Sequence, residues 1–169
     1  LFDGRDIFFF DDAGSSLPST RNQDNREKAE RPQTAQLRFD PLSSEWITVA
    51  SHRQSRAFLP PAHVCPLCPT SKDNLSELPD LFDVAVFENK GPAFGPGVGE
   101  IDQPNGQRFG FATNSFGRCE VVVFSPEHEG SLGAMPVERI RTVIGAWMNR
   151  TAELQEIDGV MQVFPFENR

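Results

Sequence analysis

Two cysteines separated by two residues constrain this chain more than any other short stretch of it. Cys65 and Cys68 have the spacing at which two thiolates bind one Zn²⁺ ion, and a structural zinc site needs two further ligands from elsewhere in the fold. His128, which closes the stretch that begins at Phe124, is the candidate for the third ligand. The fourth stays open, and the candidates are His52, His63, Cys119, an acidic side chain or a group outside this chain. The fold must therefore bring the cysteine loop to the segment around His128.

Composition narrows the class of protein. The 169 residues are 38% hydrophobic and 24% charged, which is enough for one domain with a core and unlike a disordered or collagen-like chain. They contain no apolar run that could cross a membrane and no signal-peptide pattern, so we expect a cytoplasmic protein that does not act on a membrane. Three cysteines fit reduced, metal-binding thiols better than a disulfide framework. A net charge of −8 disfavours binding to nucleic acid, although a local basic pocket for one small anion is compatible with it.

The two ends of the sequence suggest a piece of a longer protein. The chain opens on Leu1 rather than Met, and it closes on Phe166, Glu167, Asn168 and Arg169 directly after an apolar run. Residues 1–37 are expected to form an N-terminal strand and a polar arm, because the stretch from Ser19 to Gln36 offers almost nothing to bury. Residues 38–169 are expected to form the main domain. The glycine- and proline-rich stretch from Gly91 to Gly110 is expected to be a mobile connection.

Apolar patterns predict an α+β fold. Strands are predicted where β-branched and aromatic residues cluster, in residues 7–10, 45–51, 82–88, 117–125 and 160–164. A helix is predicted from Pro136 to about Glu156, with proline in its first turn. Its apolar stripe is Val137, Ile140, Ile144, Trp147 and Leu154. The arrangement predicts a mainly antiparallel sheet covered on one face by the helix.

Two strands carry more specific expectations. In residues 82–88, alternation places Phe82, Val84 and Val86 on one face, and Ala85 and Phe87 on the other. In the strand that contains residues 121–124, the continuous apolar run predicts burial on both faces.

Other polar residues follow strand ends. Arg53 and Arg56 lie three residues apart after a predicted strand, so their guanidinium groups could converge on one phosphate; the alternative is two solvated arginines. Residues 86–90 recur in approximate form as residues 165–169, which places Asn89 and Asn168 after apolar runs. Such side chains could read the polar groups of a ligand, although a chance repeat is the simpler explanation.

Six motifs in order over residues 38–169 resemble the galactose-1-phosphate uridylyltransferases of the histidine-triad superfamily. They are Asp40-Pro41-Leu42 with Glu45-Trp46, His52-Arg53-x-x-Arg56, Cys65-x-x-Cys68, the run from Phe82 to Asn89, the run from Cys119 to His128, and Phe166-Glu167-Asn168. Any one of them is weak, but six in the right order are specific. The resemblance implies that these residues form one histidine-triad-like half of the family's fold.

The resemblance implies a two-step reaction. In this family a histidine of a His-Pro-His-Gly-Gln loop attacks the α-phosphorus of UDP-glucose, releases glucose 1-phosphate and passes the uridylyl group to galactose 1-phosphate, giving UDP-galactose. Neutral imidazole suits this task because it is nucleophilic and its phosphoramidate is labile. By the resemblance, the loop begins beyond Arg169, so no catalytic residue is assigned in this chain. The family is also commonly dimeric, which implies a homodimer.

Site residues are implied by position. Cys65, Cys68 and His128 match three zinc ligands of the family, with the fourth ligand in the missing loop. The remaining matches are phosphate contacts for Arg53 and Arg56, the uridine pocket for Leu67, Phe87, Asn89 and Val121, and the nucleotide-side strand for Phe166 and Asn168. The zinc would be a structural clasp, since a closed shell of four ligands leaves no water to activate. Lys90-Gly91 departs from the family pattern and puts the neighbouring uracil or ribose contacts in question.

Two alternatives remain beside the uridylyltransferase. One is a related nucleotidyltransferase or dinucleoside polyphosphate phosphorylase, which would act on adenine nucleotides. The other is a noncatalytic, zinc-stabilised nucleotide-binding module, because a fold alone does not determine the chemistry.

Overall fold

The computed structural model describes residues 1–27, 35–51, 60–96 and 111–167, and these form six strands and one α-helix. The elements are β1 (Ile7–Phe10), β2 (Gln36–Asp40), β3 (Glu45–Val49), β4 (Val84–Glu88), β5 (Ala112–Asn114), β6 (Glu120–Val123) and α1 (Val137–Gln155). The predicted α+β class is confirmed, and so is the helix. No helix in the described ranges combines the length and the apolar character that a membrane span requires.

Contacts divide the chain into two units, each with its own sheet. The first unit comprises residues 1–29, 59–88 and 120–169, and the second comprises residues 30–58 and 89–119. The first contains a sheet in the order β1-β4-β6, and the second contains a sheet in the order β3-β2-β5. All the strand pairs in both sheets are antiparallel. The antiparallel prediction therefore holds, but the single sheet is in fact two sheets of three strands. The boundary at residue 37 stays a prediction.

The centre of the first unit is β4, whose five residues are all buried. One face of this strand packs Val84 and Val86 against Val143 and Ala146 of α1. The other face packs Ala85 and Phe87 against Leu78 and Phe82. The prediction that Phe82 shares a face with Val84 and Val86 is wrong, because Phe82 precedes the strand and is free of its alternation. The covering helix is confirmed.

The edge strand β6 contributes to both clusters. Val121 and Val123 pack on the face that contains Phe87, whereas Val122 and Phe124 pack on the helix side. These side chains are half-buried, since β6 has one neighbouring strand in its sheet. The run therefore packs on both faces, but its residues are half-buried rather than buried as predicted.

The predicted apolar stripe of the helix is correct in part, because Leu154 is buried and Trp147 packs against the core, but the rest of the buried face differs. Its buried residues are Val143, Ala146, Arg150 and Leu154, whereas Val137 and Ile144 are exposed. Small Ala146 allows close approach to β4. The buried charge of Arg150 is paired, because Nε and Nη2 each lie 2.9 Å from a carboxylate oxygen of Glu120, and the central carbon of its guanidinium lies 3.9 Å from the centre of the Phe8 ring. Hydrophobic periodicity counts apolar residues only, so it does not predict the burial of an arginine that has a bidentate partner.

A second arginine of the helix ties three segments together. Arg139 binds Asp12, which follows β1, with Nε 2.9 Å from Oδ2. Its Nη2 lies 2.7 Å from Oδ1 of Asp83, which precedes β4. Its Nη1 donates to the carbonyl oxygen of Phe124, which follows β6, at 3.1 Å. One side chain therefore fixes the ends of all three strands of this sheet against the helix.

The predicted strand at residues 160–164 is wrong. No strand is formed there, and Met161 and Phe164 are exposed. An apolar run becomes a strand only when a neighbouring strand accepts its backbone hydrogen bonds, and none of the described strands pairs with it.

The second unit is built on a hairpin. Antiparallel β2 and β3 pair from Gln36↔Val49 to Asp40↔Glu45, and the rings of Phe39 and Trp46 lie 5.5 Å apart. The sequence analysis predicted β3 but missed β2 and the short β5. In β2 the apolar residues Leu37 and Phe39 alternate with polar ones, so it contains no apolar run. The predicted connection from Gly91 to Gly110 lies largely outside the described residues.

Four carboxyl groups are held by arginines in the first unit. They are Asp3 beside Arg5, Asp12 beside Arg139, Asp24 beside Arg26, and Glu77 beside Arg5 and Arg26. Burial raises the pKa of each carboxyl, but hydrogen bonds and the positive charges outweigh burial and lower the pKa below the ordinary 3.8 of aspartate or 4.5 of glutamate. All four are therefore charged in the folded protein at neutral pH.

We expect acid to destabilise this unit. A carboxyl whose folded pKa lies below its unfolded pKa contributes stability above the unfolded value and loses it as pH falls through the folded value. The urea midpoint of the metal-free protein in chelator should therefore fall steadily between about pH 5 and pH 3. An Arg139→Met variant should show a shallower fall, because Asp12 loses its partner. A midpoint that is constant over this interval would contradict the arrangement.

Candidate metal centre

Cys65, Cys68 and His128 lie together, as the spacing predicts. One ligand atom from each residue lies within 4.8 Å of the other two. The Sγ of Cys68 lies 3.4 Å from Nδ1 of His128. In a tetrahedral zinc shell with bonds of about 2.3 Å to sulfur and about 2.0 Å to nitrogen, these two atoms would be about 3.5 Å apart. The pair is therefore at ligating distance for one metal ion.

The cysteines lie in a loop held by hydrogen bonds. A single 3-10 turn, Ala62–Val64, precedes Cys65. The backbone N–H of Leu67 donates to Sγ of Cys65 at 3.4 Å, which is a common way to stabilise a thiolate. The side chain of Asn74 donates to the carbonyl oxygen of Cys65 at 2.8 Å. The loop thus fixes the direction of the first thiol from both sides.

His128 follows the end of β6 in a short turn. The N–H of Glu127 donates to the hydroxyl of Ser125 at 3.1 Å, which closes the turn before the histidine. The Nε2 atom lies 3.8 Å from the carboxylate of Glu129, so Nδ1 is the atom that faces Cys68. The predicted third ligand is therefore presented by a strand end, while the other two come from a loop.

The protonation of the thiols makes metal binding at the cluster depend on pH. Burial, together with the hydrogen bond and the charge of Cys65, raises the pKa of the Cys68 thiol. A metal ion binds the thiolate, so metal binding must release protons and must tighten as the pH rises. Two soft sulfur donors and one imidazole suit zinc better than magnesium or calcium. The residues present fit the zinc that the resemblance implies.

Among the described residues, the cluster contains three ligands and no fourth. His63 lies in the turn before Cys65 but is not part of the cluster, and Cys119 belongs to the other unit. His52 lies outside the described residues. Glu127 and Glu129 line the same cavity as the three ligands, so an acidic side chain stays open as a fourth.

The three ligand residues line a cavity of about 310 Å³. Its walls combine the cysteine loop with the end of β6 and the turn that follows. The lining includes Leu67, Val122, Val123, Phe124, Ser125 and Met135. Of the residues predicted to line the uridine pocket, Leu67 lies in the same cavity as the metal cluster.

The other predicted ligand contacts lie elsewhere. Phe87 and Val121 are cross-strand partners, and Phe87 is only 2% exposed in the core. Asn89, in the second unit, donates its backbone N–H to Cys119 and accepts from the N–H of Gly91. Phe166 is exposed and stacks on Phe164 with centroids 6.2 Å apart. Arg53, Arg56 and Asn168 lie outside the described residues. The roles of these residues in binding stay predictions.

Sequence reasoning missed the residues that hold the cysteine loop. Asn74 and Glu77 each hydrogen-bond the backbone of the Cys65–Cys68 stretch. Their only signal is a polar, turn-rich composition, which marks a turn but does not say which backbone group it supports.

Comparisons with known proteins agree with the geometry. Residues 24–169 match the family described as galactose-1-phosphate uridyl transferase, N-terminal domain. The chain is 34% identical to the galactose-1-phosphate uridylyltransferase of Streptomyces lividans over all of this chain and 42% of that protein. It is 34% identical to that of Thermotoga maritima over 79% of this chain and 41% of that protein. The chain thus spans about two-fifths of the length of these relatives.

A solved structure is also similar. It is described as the structure of uridylyltransferase, and it matches with a TM-score of 0.52 and 27% sequence identity over 72% of this chain and 37% of that one.

Proposed function

This chain belongs to the galactose-1-phosphate uridyl transferase family, whose N-terminal domain it matches, and we propose that it forms the zinc-binding, nucleotide-side part of a hexose-1-phosphate uridylyltransferase. The enzyme would exchange UMP between UDP-glucose and galactose 1-phosphate. The observation that supports this proposal most directly is the convergence of Cys65, Cys68 and His128 within 4.8 Å, beside a cavity, in a chain of this family.

The metal is proposed to have a structural role. With Cys65 and Cys68 on one loop and His128 after β6, a bound zinc ion would join two segments that share no strand pairing. When bound, zinc supplies no reacting group here; it fixes the wall of the cavity that contains Leu67 and Phe124. A wall fixed in this way loses less freedom when a nucleotide binds, so it improves affinity.

The chemistry is proposed to proceed through a uridylyl-histidine. Attack of the imidazole nitrogen on the α-phosphorus forms a P–N bond and breaks the bond to the oxygen of glucose 1-phosphate, and galactose 1-phosphate then reverses the step. No histidine of these residues is assigned as the nucleophile. The substrates are proposed to be UDP-glucose, UDP-galactose and hexose 1-phosphates, and the enzyme is proposed to be a cytoplasmic homodimer.

The reaction can be tested on the intact protein. Incubation with UDP-glucose labelled at the α-phosphorus should place label on protein, in a bond that is stable to base and labile to acid. Galactose 1-phosphate should then remove the label as UDP-galactose, with ping-pong kinetics. Labelling from an adenine dinucleotide instead would favour a phosphorylase, and nucleotide binding without labelling would favour a noncatalytic module.

The metal site can be tested with matched cysteine variants. Cys68→Ser replaces a soft ligand by a hydroxyl, so we expect zinc affinity to fall at least roughly 100-fold. Cys119→Ser removes the cysteine outside the cluster and should keep one zinc per chain. Metal content after dialysis against a chelator of known affinity measures both. Equal zinc retention by the two variants would contradict the assigned site.

A further inference from the structure

A short polar segment supports the backbone between the two cysteines. The N–H of Glu77 donates to the carbonyl oxygen of Pro66, which follows Cys65, at 2.9 Å. Asn74 donates to the carbonyl oxygen of Cys65 itself. The N–H of Thr70 donates to the carbonyl oxygen of Leu78 at 2.8 Å. Residues 74–78 therefore act as the base on which the cysteine loop rests.

The carboxylate of Glu77 is held by two arginines from the N-terminal segment. Oε2 accepts a hydrogen bond from Nη2 of Arg5, and Oε1 lies 3.0 Å from Nη1 of Arg26. The side chains are 13%, 0% and 15% exposed for Glu77, Arg5 and Arg26, respectively. At such burial, charge-assisted hydrogen bonds hold a side chain far more firmly than they do at a surface.

The arginines are themselves fixed. Arg5 donates from Nη1 to the carbonyl oxygen of Glu88 at 2.8 Å, at the end of the buried strand β4, and its Nε lies 2.7 Å from Asp3. Arg26 binds both carboxylate oxygens of Asp24, at 2.9 and 2.7 Å. Glu77 is thus connected through Arg5 to β4, the fully buried strand of the unit.

Apolar packing alone does little to hold this loop. Leu67 and Leu75 are 40% and 64% exposed, and only Leu78 of this stretch belongs to a core cluster. A tetrahedral shell tolerates errors of only a few tenths of an ångström in its sulfur positions. The polar clamp of Glu77, Arg5 and Arg26 therefore adds to the hydrogen bonds of Asn74 and the Leu67 N–H in restraining the cysteine loop of the metal-free protein.

We propose that Glu77, clamped by Arg5 and Arg26, is a positioning residue for Cys65 and Cys68, so that the N-terminal segment sets the metal affinity of the site. This inference rests on the proposed metal site. Preorganised ligands lose less freedom when the ion binds, and groups that hydrogen-bond metal ligands typically change metal affinity by about 10-fold to 100-fold. Glu77 acts one step further out, through Pro66, so we expect an effect at the lower end of that range.

The test is Glu77→Gln in the intact protein. Glutamine keeps the side-chain length and the backbone N–H to Pro66, but it removes the charge that holds both arginines. We expect the zinc dissociation constant, measured by competition with a chelator, to rise about 10-fold, and zinc to dissociate correspondingly faster. With Co²⁺ as the probe, the sulfur-to-metal absorption bands should weaken or shift, because the sulfur positions are less defined.

Glu120→Gln is the matched control. It removes the charge from another buried arginine pair, with Arg150, at the start of β6, which is the end of that strand away from His128. Both variants should lower the melting temperature of the metal-free protein in chelator, but Glu120→Gln should leave the zinc constant and the Co²⁺ spectrum unchanged at temperatures where all the variants are folded.

Arg26 gives a second route to the same result. Arg26→Met should weaken zinc binding several-fold, and Arg26→Lys, which keeps the charge near Glu77, should recover part of the loss. If Glu77→Gln does not fold, the two Arg26 variants test the proposal instead. Unchanged zinc constants in Glu77→Gln, or in Arg26→Met, with a wild type that binds zinc would overturn the positioning role alone. A wild type that binds no zinc would overturn the proposed metal site, and this inference with it.

Discussion

Replacing Arg139 with methionine will lower the free energy of unfolding by about 3 kcal/mol, a loss typical of breaking a largely buried ion pair on one side. Asp12 and Asp83 would each keep a charge with no cation beside it, and the carbonyl oxygen of Phe124 would lose its donor. Methionine fills much of the volume of the arginine stem, so the loss reports the polar contacts rather than a cavity. Urea denaturation at neutral pH in chelator measures it.

Arg141 supplies the control on the same helix. Its side chain is 75% exposed, and its nearest carboxylate, on Glu138, lies 4.0 Å away. Arg141→Met should change stability by less than about 0.5 kcal/mol, as exposed pairs usually do. If the two variants were equally stable, Arg139 would not join the three strand ends as described.

Replacing Phe82 with alanine will cost about 3–5 kcal/mol, the range for removing a buried aromatic ring from a core. Phe82 is 1% exposed and packs with Leu78, Ala85 and Phe87 beneath the sheet. Because Leu78 closes the cysteine loop, the cavity would open directly beneath that loop. We therefore expect the metal-free protein to unfold at lower urea concentration with an unchanged slope.

The neighbouring residue is a suitable control for this variant. Leu81 is 55% exposed, so Leu81→Ala should cost about 1 kcal/mol or less. A cost for Phe82→Ala as small as that for Leu81→Ala would contradict the packing of Phe82 with Leu78, Ala85 and Phe87.

The elements predicted correctly from sequence have strong local patterns. The runs in β1, β4 and β6 are apolar except for one terminal glutamate each in β4 and β6, and α1 begins after proline with Glu138 in its first turn. The metal cluster was predictable for a different reason. Two cysteines at this spacing are typical of a metal site in a reduced protein, and His128 follows the apolar run that ends β6.

What the sequence did not reveal depends on contacts between distant residues. The buried face of α1 is set by Ala146 and by the pairing of Arg150 with Glu120, neither of which adds to an apolar stripe. Residues 160–164 are as apolar as a strand, but no described strand pairs with them. The position of Glu77 beneath Pro66 follows from the path of the loop, which composition does not encode.

The separation in sequence between the two halves of the metal cluster has an entropic consequence. Cys68 and His128 are 60 residues apart, and β4, β5 and β6 all lie between them. A metal ion that joins them would act as a reversible cross-link and restrict the unfolded chain, much as a disulfide does. For a closed loop of that size, the chain-entropy relation gives about 4 kcal/mol. Removal of the metal would therefore lower the stability of the first unit, since the ion joins two segments that lie on either side of its central strand β4 in the sequence.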